Sequence, residues 1–283
     1  MLRFRKQLPE YSLGGLIIAA SLVWAAIFYL QDRDYLTVAF LDIGQGDAIF
    51  IEAPNGNQVL IDGGPNQKVL SELSKVMPFY DRSIDVVIAT HPDADHIGGL
   101  PEVLARYDIE YVFDSASASD TGVYKEWTSS VEKENARYTH VFRGTRILLG
   151  ENARLDILYP FPGQISEDAN NMSVVAKLIY GKTCFILTGD LERVGEFKLL
   201  GDDISCEVLK IGHHGSKTST SDAFLAAIAP KFAVIQSGED NKYGHPNGIV
   251  LNKLQAADIA ALRNDELGLI KIRSDGERVW LDK

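Results

Sequence analysis

Short apolar runs alternate along most of this chain with longer stretches in which apolar residues recur every three or four positions. The short runs, rich in Val, Ile, Leu and Phe and without helical period, predict strands. In the first half these are Tyr35–Asp42, Asp47–Ala53, Gln58–Asp62, Ile84–Thr90 and Ile109–Phe113. Later come His140–Phe142, Thr145–Leu149, Leu155–Tyr159, Ser173–Tyr180, Thr183–Thr188, Cys206–Ile211 and Phe232–Gln236, then Ile259–Arg263, Leu267–Ile272 and Val279–Leu281. Helical spacing gathers Val69, Leu70, Leu73 and Val76 on one side of a helix within 65–76. The same signal predicts helices over 100–107, 121–135, 192–200, 222–229 and 247–256. Pro54–Asn57 and Gly181-Lys182 read as hairpin turns. No linker divides residues 36–283, so the pattern predicts one α/β domain.

The two halves of that domain share a plan. In each, a hairpin closes on an aspartate, a helix follows, and an apolar strand delivers histidines. Asp62 precedes His91, and Asp190 precedes His213-His214, at similar spacings. A duplicated unit with ligands at equivalent strand ends would bring both sets to one end of the molecule.

Leu13 to Leu30 departs from this pattern. It holds 18 residues without a charge, after Arg3, Arg5 and Lys6 and before Asp32, Arg33 and Asp34. That length suffices to span a bilayer, and the preceding basic residues place segment 1–12 in the cytoplasm and the domain on the outer side. Tyr29-Leu-Gln-Asp32 offers no small-residue cleavage site, which favours a retained single-pass anchor over a signal peptide.

Composition refines this picture. With 283 residues, 46% of them hydrophobic, the chain can build a large core. A formal net charge of −11 excludes a basic field that gathers nucleic acid from a distance. Two cysteines, Cys184 and Cys206, rule out a disulfide framework or a thiolate zinc site. Both lie in apolar runs and are expected as buried free thiols, with a single bridge left open.

The candidate chemistry lies in His91-Pro-Asp93-Ala-Asp95-His96, straight after an apolar strand and before Ile97-Gly98-Gly99. Two imidazoles and two carboxylates this close repel and desolvate one another unless a cation sits between them. Asp190 ends a strand at the centre of the second unit and is the candidate bridging acid. Oxygen and nitrogen donors without thiolate suit Zn²⁺, Mn²⁺ or Fe. Two such ions hold a bridging hydroxide that is nucleophilic at neutral pH. Asp47 and Asp62 read as turn caps or site residues, and Glu192 as a helix-terminal charge or a site residue. His140, alone among strand residues, reads as structural, Lys210 as solvated, and Lys217 as able to face a phosphate.

His91-Pro-Asp93-Ala-Asp95-His96 resembles the His-x-His/Asp-x-Asp-His signature of the metallo-β-lactamase superfamily, and Leu60–Gly64 and Leu187–Asp190 resemble its other strand-end motifs. Phe40–Asp47, Asn170–Ser173, Leu209–Ser216 and Tyr243–Pro246 resemble, in the same order, the hydrolase domain of the ComEC-type competence DNA-uptake family. The resemblance implies a four-layer αββα sandwich with two divalent metal ions, Zn²⁺ or Mn²⁺, at one edge of its sheets. It implies His91 and Asp93 on one ion, Asp95 and His96 on the other, and Asp190 between them. One of His213 and His214 completes the second ion, His213 being preferred, and Asp62 orients the His/Asp loop from behind. Catalytic roles then fall to Asp95, His214, His245, Asn171 and Asp62, with Asn171, Ser216 and His245 at the rim.

Two departures narrow the reading. Asp93 stands where many members carry histidine, and Asn170-Asn171 lies near the place of a missing Gly-His-Thr-type loop. Both favour the phosphodiesterase-like branches. The expectation is a membrane-anchored dimetal phosphodiesterase or nuclease acting on DNA, single-stranded DNA in particular, beside a separately encoded membrane partner. The alternative is hydrolysis of a small ester: a phosphorylcholine-like headgroup, a cell-wall ester or a lactone.

Overall fold

The computed structural model describes residues 8–31 and 35–282, and within the N-terminal helix the side chains of 13–26. Among the described residues, fifteen strands form two sheets. The first holds β1 (Leu36–Phe40), β2 (Ile49–Glu52), β3 (Gln58–Ile61), β4 (Ser83–Ala89), β5 (Asp108–Asp114) and β6 (Arg137–His140). The second holds β7 (Arg146–Leu148), β8 (Ala153–Tyr159), β9 (Val175–Tyr180), β10 (Thr183–Leu187), β11 (Val208–Lys210), β12 (Phe232–Ile235) and β13 (Ala260–Arg263). The chain then returns to the first sheet with β14 (Ile270–Ser274) and β15 (Val279–Asp282). Strand orders are β15-β14-β1-β2-β3-β4-β5-β6 and β13-β12-β11-β10-β9-β8-β7.

Three apolar clusters define four layers. Phe40, Ile51, Leu155 and Phe185 pack between the sheets. Phe50, Leu73, Leu100 and Trp127 join the outer face of the first sheet to the helices Lys68–Val76, Leu100–Leu104 and Gly122–Lys133. Ile186, Leu199, Phe224 and Leu254 join the second sheet to Arg193–Leu199, Asp222–Ile228 and Gly248–Ala256. Strands buried on both faces read as continuous apolar runs, which is why their sequence lacks strict alternation.

The duplicated plan is real in topology. Hairpin β2–β3 continues into parallel β4 and β5, as hairpin β9–β10 continues into parallel β11 and β12. The two sheets are tied at one end: Val174 N, just before β9, donates to Thr90 O, just after β4, at 3.0 Å, and Gln236 Nε2, just after β12, donates to Leu41 O and Ala48 O of the β1–β2 turn at 3.2 and 3.0 Å.

Several expectations change. Cys184 and Cys206 are joined by a disulfide with Cα atoms 5.0 Å apart, not held as free thiols. The parallel register Phe185↔Val208 brings Cys184 on β10 beside Cys206, two residues ahead of β11. A short helix, Asn264–Leu267, interrupts the stretch read as running from strand to strand. At the N-terminus a helix does form, Leu8–Gln31, with Leu16, Ile18 and Leu22 exposed. No helix among the described residues is long and apolar enough to cross a membrane. Within this helix the side chains of 13–26 are described. The expected span 13–30 extends past these side chains, and most of the expected cytoplasmic segment 1–12 lies outside the described residues.

Candidate metal centre

The site is built where four strand ends meet. After β4, Thr90 and His91 remain extended, Asp93 begins the short helix Ala94–Ile97, and that helix carries Asp95 and His96. Gly98 and Gly99 let it sit on the β3 end: a Cβ would come 2.4 Å from Pro65 O and 2.2 Å from Gly63 O respectively. On the other side, His213 and His214 follow β11 with φ of 49° and 53°. Asp62 also has positive φ, 59°. Left-handed backbone at three non-glycine residues is sparsely populated, and such strain gathers at functional sites.

The donor atoms converge. His96 Nε2 lies 3.3 Å from Asp190 Oδ2, and His214 Nε2 lies 3.3 Å from both Asp190 Oδ2 and Asp95 Oδ2. His91 Nε2 is 3.7 Å from Asp93 Oδ2, and the His91 and His96 rings are 4.1 Å apart. His91, His96 and Asp190 form one group with donor atoms within 4.8 Å of one another, and Asp95, His96 and His214 form another.

The opposite ring nitrogens are held from behind. His96 Nδ1 pairs with Asp62 Oδ2 at 2.8 Å, and His214 Nδ1 with Gln236 O at 2.9 Å. Thr90 Oγ1 donates to Asp62 Oδ2 at 2.7 Å, so it is an acceptor toward His91 Nδ1, 3.0 Å away. In all three imidazoles Nδ1 is thus held as a donor, and Nε2 is the nitrogen that faces inward, available to an ion once any proton on it is displaced. Those three Nε2 atoms and Asp190 Oδ1 are buried without a hydrogen-bond partner. Orphaned donors of this kind fit a divalent cation among them, held by imidazole nitrogen and carboxylate oxygen.

Charge explains the titration of the group. Burial drives the His91 imidazole down to about 3, with His96 adding to the effect. His96 and His214 are pushed well above the ordinary range: burial opposes this, but Asp190 with Asp62 or Asp47 overrides it. Asp190 and Asp95 are held low against burial by the neighbouring imidazoles. Burial raises Asp62 and Asp93, with nearby carboxylates adding to the shift.

A family model described as the metallo-beta-lactamase superfamily matches residues 41–239. The chain belongs to the metallo-β-lactamase superfamily. It is a metal-dependent hydrolase of that fold, related to competence proteins. ComE operon protein 3 of Bacillus subtilis is 32% identical over 94% of this chain and 37% of its own length. Competence protein ComA of Neisseria gonorrhoeae is 30% identical over 83% and 32%. Recombination protein 2 of Haemophilus influenzae is 28% identical over 86% and 29%. The chain spans about a third of the length of these relatives. Among solved structures, CmlA, a diiron β-hydroxylase from Streptomyces venezuelae, aligns with TM-score 0.58 at 14% identity over 84% of this chain and 54% of its own. Zn²⁺-bound PqqB from Methylobacterium extorquens aligns with TM-score 0.52 at 13% identity over 77% and 85%. These two likenesses speak to the fold alone.

Within this superfamily site, His214 rather than His213 has the position of a ligand. His214 is 1% exposed with Nε2 on Asp190 and Asp95. His213 is 24% exposed at the side chain, with Nε2 3.8 Å from Asp190 Oδ2 and Nδ1 3.4 Å from Glu192 Oε1. The double left-handed turn aims the two neighbours differently, which residue order alone does not reveal. Glu192, 3.4 Å from Asn171 Nδ2 as well, belongs to the rim and makes no cap bond to its helix. Asn171 also reaches Asp168 Oδ2 at 3.1 Å, and Ser216 is buried against Thr218. The His245 ring lies 5.7 Å from that of His213, and burial plus His214 lowers it to about 4. His140 stands apart, paired with Asp114 at the edge of the first sheet.

Sequence reasoning missed Lys210. It is fully buried, its Nζ bonded to Gly189 O at 2.9 Å and to Asp47, and 3.7 Å from Asp190 Oδ1. Asp47, read as an even choice between turn and site, lies 3.3 Å from His214 Nδ1. A lysine flanked by Leu209 and Ile211 just ahead of a His-His pair was the available signal.

Proposed function

We propose that this protein is a membrane-associated phosphodiesterase that cleaves DNA, single-stranded DNA in particular, on the outer side of a membrane. The observation that carries this is the donor set: inward Nε2 atoms of His91, His96 and His214 around Asp190, with Asp95 adding carboxylate oxygen and Asp93 Oδ2 3.7 Å from His91 Nε2 at the open side. It occurs in a chain whose relatives are named for competence and recombination. Charge count supports two divalent ions. Asp47, Asp62, Asp93, Asp95 and Asp190 contribute five negative charges against the one ammonium of Lys210. Two divalent cations bring the sum to zero, whereas one leaves the buried site doubly negative.

When bound, such ions supply Lewis acidity and lower the pKa of coordinated water toward neutrality. The chain's own residues do the rest. His91, His96, His214, Asp93, Asp95 and Asp190 would hold the ions, and Asp62, Thr90 and Gln236 fix the ring orientations. Asn171 and Ser216 border the site, where Asn171 Nδ2 would exchange its bonds to Asp168 and Glu192, and Ser216 Oγ its bond to Thr218, for a non-bridging phosphate oxygen. His245, lowered to about 4, is neutral at pH 7 and poorly suited to give up a proton. His213 is the better placed donor to the leaving oxygen, steadied through Nδ1 by Glu192. The disulfide supports an oxidising location, and the exposed apolar helix supports attachment through the N-terminus.

The test is cleavage of fluorescent single-stranded DNA with Mn²⁺ or Zn²⁺ by the full chain in detergent micelles, beside Asp190→Ala. Cleavage that falls at least a hundredfold in the variant is expected. If the wild type loads metal yet leaves DNA intact while turning over a small ester, the DNA reading is wrong.

A further inference from the structure

The Tyr243–His245 segment is absorbed by no step above, although it borders the site. Tyr243 is 57% exposed, a high value for a large ring in a loop fixed this firmly. Asn241 organises the loop: Nδ2 donates to Gly238 O at 2.8 Å and to His245 O at 2.5 Å. Its Oδ1 accepts from Tyr243 N at 3.2 Å and His245 N at 2.9 Å. The Tyr243 ring lies nearly parallel to His245, with centroids 5.8 Å apart at 21°. His245 in turn lies 6.3 Å from His214. Two ring-to-ring steps therefore lead from the metal ligands to an exposed, pre-ordered aromatic face. Lys242 holds its ammonium 5.1 Å from the Tyr243 centroid on a flexible stem that can swing to a phosphate.

We infer that Tyr243 is a stacking platform for an unpaired base next to the scissile phosphodiester. The inference rests on the proposed phosphodiesterase reading and deepens it by assigning how the strand is held. A net charge of −11 gives the chain no long-range attraction for a polyanion. Stacking is the sequence-tolerant alternative, since every base presents a π-face. A base within a duplex has both faces covered, so the same platform selects single-stranded or frayed ends. Tyr243 touches substrate in this account through the base alone, and the reacting phosphate remains with the metal ligands.

The experiment compares two strands of equal length, an oligothymidylate and an abasic version with the same phosphates. The full chain in detergent micelles is used, and KM and kcat are measured for wild type, Tyr243→Ala, Tyr243→Phe and Tyr243→Trp. Tyr243→Ala is expected to raise KM for the base-bearing strand roughly 5- to 150-fold, the effect of losing one stacked contact. KM for the abasic strand should stay within about twofold, and Tyr243→Phe and Tyr243→Trp should hold the wild-type value. Equal losses on both strands, or none on either, overturn the inference while leaving the phosphodiesterase reading intact. If the wild type cleaves neither strand, that reading fails, and fluorescence anisotropy then decides the platform. A Tyr243-dependent preference for the base-bearing strand sustains it, and equal binding of the two strands removes it.

Discussion

Replacing Lys210 by methionine isolates the least expected element of the site. Its ammonium is fully buried against Asp47, which is 1% exposed, and against the carbonyl of Gly189. Removing one partner of a buried pair leaves an uncompensated charge and costs roughly 3–5 kcal/mol. For a unit of about 250 residues, that lowers Tm by roughly 6–20 °C at about 2–4 °C per kcal/mol. Asp47→Asn added to Lys210→Met removes the stranded charge, so the double variant should recover roughly 2–3 kcal/mol relative to additivity. The pH dependence has a definite sign. Burial raises the Asp47 carboxyl, but Lys210 and His214 outweigh it and hold the group low. Its stabilisation is therefore present above the ordinary carboxylate pKa of about 3.9 and lost as pH falls through the depressed value. Without Lys210 much of that depression goes, so the penalty is largest at neutral pH and shrinks toward pH ~4 as Asp47 takes up a proton. Urea unfolding followed by Trp127, buried at 1% exposure, reads this out. Additive losses within about 0.5 kcal/mol, or a penalty constant from pH 7 to 4, would refute the pairing argument.

Two further outcomes test the ligand assignment. His214→Ala should lower the metal content per chain measured by plasma emission spectroscopy, whereas His213→Ala should keep the metal and lower kcat by roughly 10²–10⁴-fold, the range for a proton-transfer group; equal metal loss in both would contradict the geometry. Because His96 and His214 are held protonated well above pH 6.5 in the free site, metal uptake must displace those protons. Calorimetry at pH 7 in buffers of different ionisation enthalpy should report net proton release, with affinity rising from pH 6 to 8, and a buffer-independent heat would show the imidazoles already neutral.

Much of the fold was legible because each half repeats strong local signals. Apolar runs such as Ile84–Thr90, short and rich in β-branched residues, read as buried strands, and the turns at Pro54–Asn57 and Gly181-Lys182 marked the hairpins, whereas the order of strands across each sheet was not read. The disulfide was not legible, since nothing in the spacing of Cys184 and Cys206 reveals that β10 and β11 pair in parallel beside them. Candidate ligands were legible where polar donors interrupt apolar sequence, as at His91–His96. Which donors face inward was not, because that depends on backbone sign at His213 and His214. Lys210 misled for a related reason. Alternation along a strand marks a solvated side only if that side meets water, and here it meets Asp47.

The duplication also explains how equivalent positions acquire different work. Asp62 and Asp190 both end the return strand of a hairpin, at the same edge of their sheets. Asp62 is engaged on both oxygens: Thr90 N and Thr90 Oγ1 donate to Oδ1 and Oδ2 at 2.8 and 2.7 Å, and His96 Nδ1 lies 2.8 Å from Oδ2. Three of its roughly four acceptor sites are thus taken, which suits it to fixing a ring more than to holding an ion. Asp190 is tied through its backbone, whose N–H is received by Ser173 Oγ at 3.1 Å, while its Oδ1 has no hydrogen-bond partner at all. Its carboxylate is free to face His96 and His214. The strand plan sets where each carboxylate arrives, and the hydroxyls and amides beside it decide whether it serves an ion or a histidine. By the same logic, supplying Asp190 with a donor as close as Thr90 is to Asp62 would turn an ion-binding acid into a supporting one.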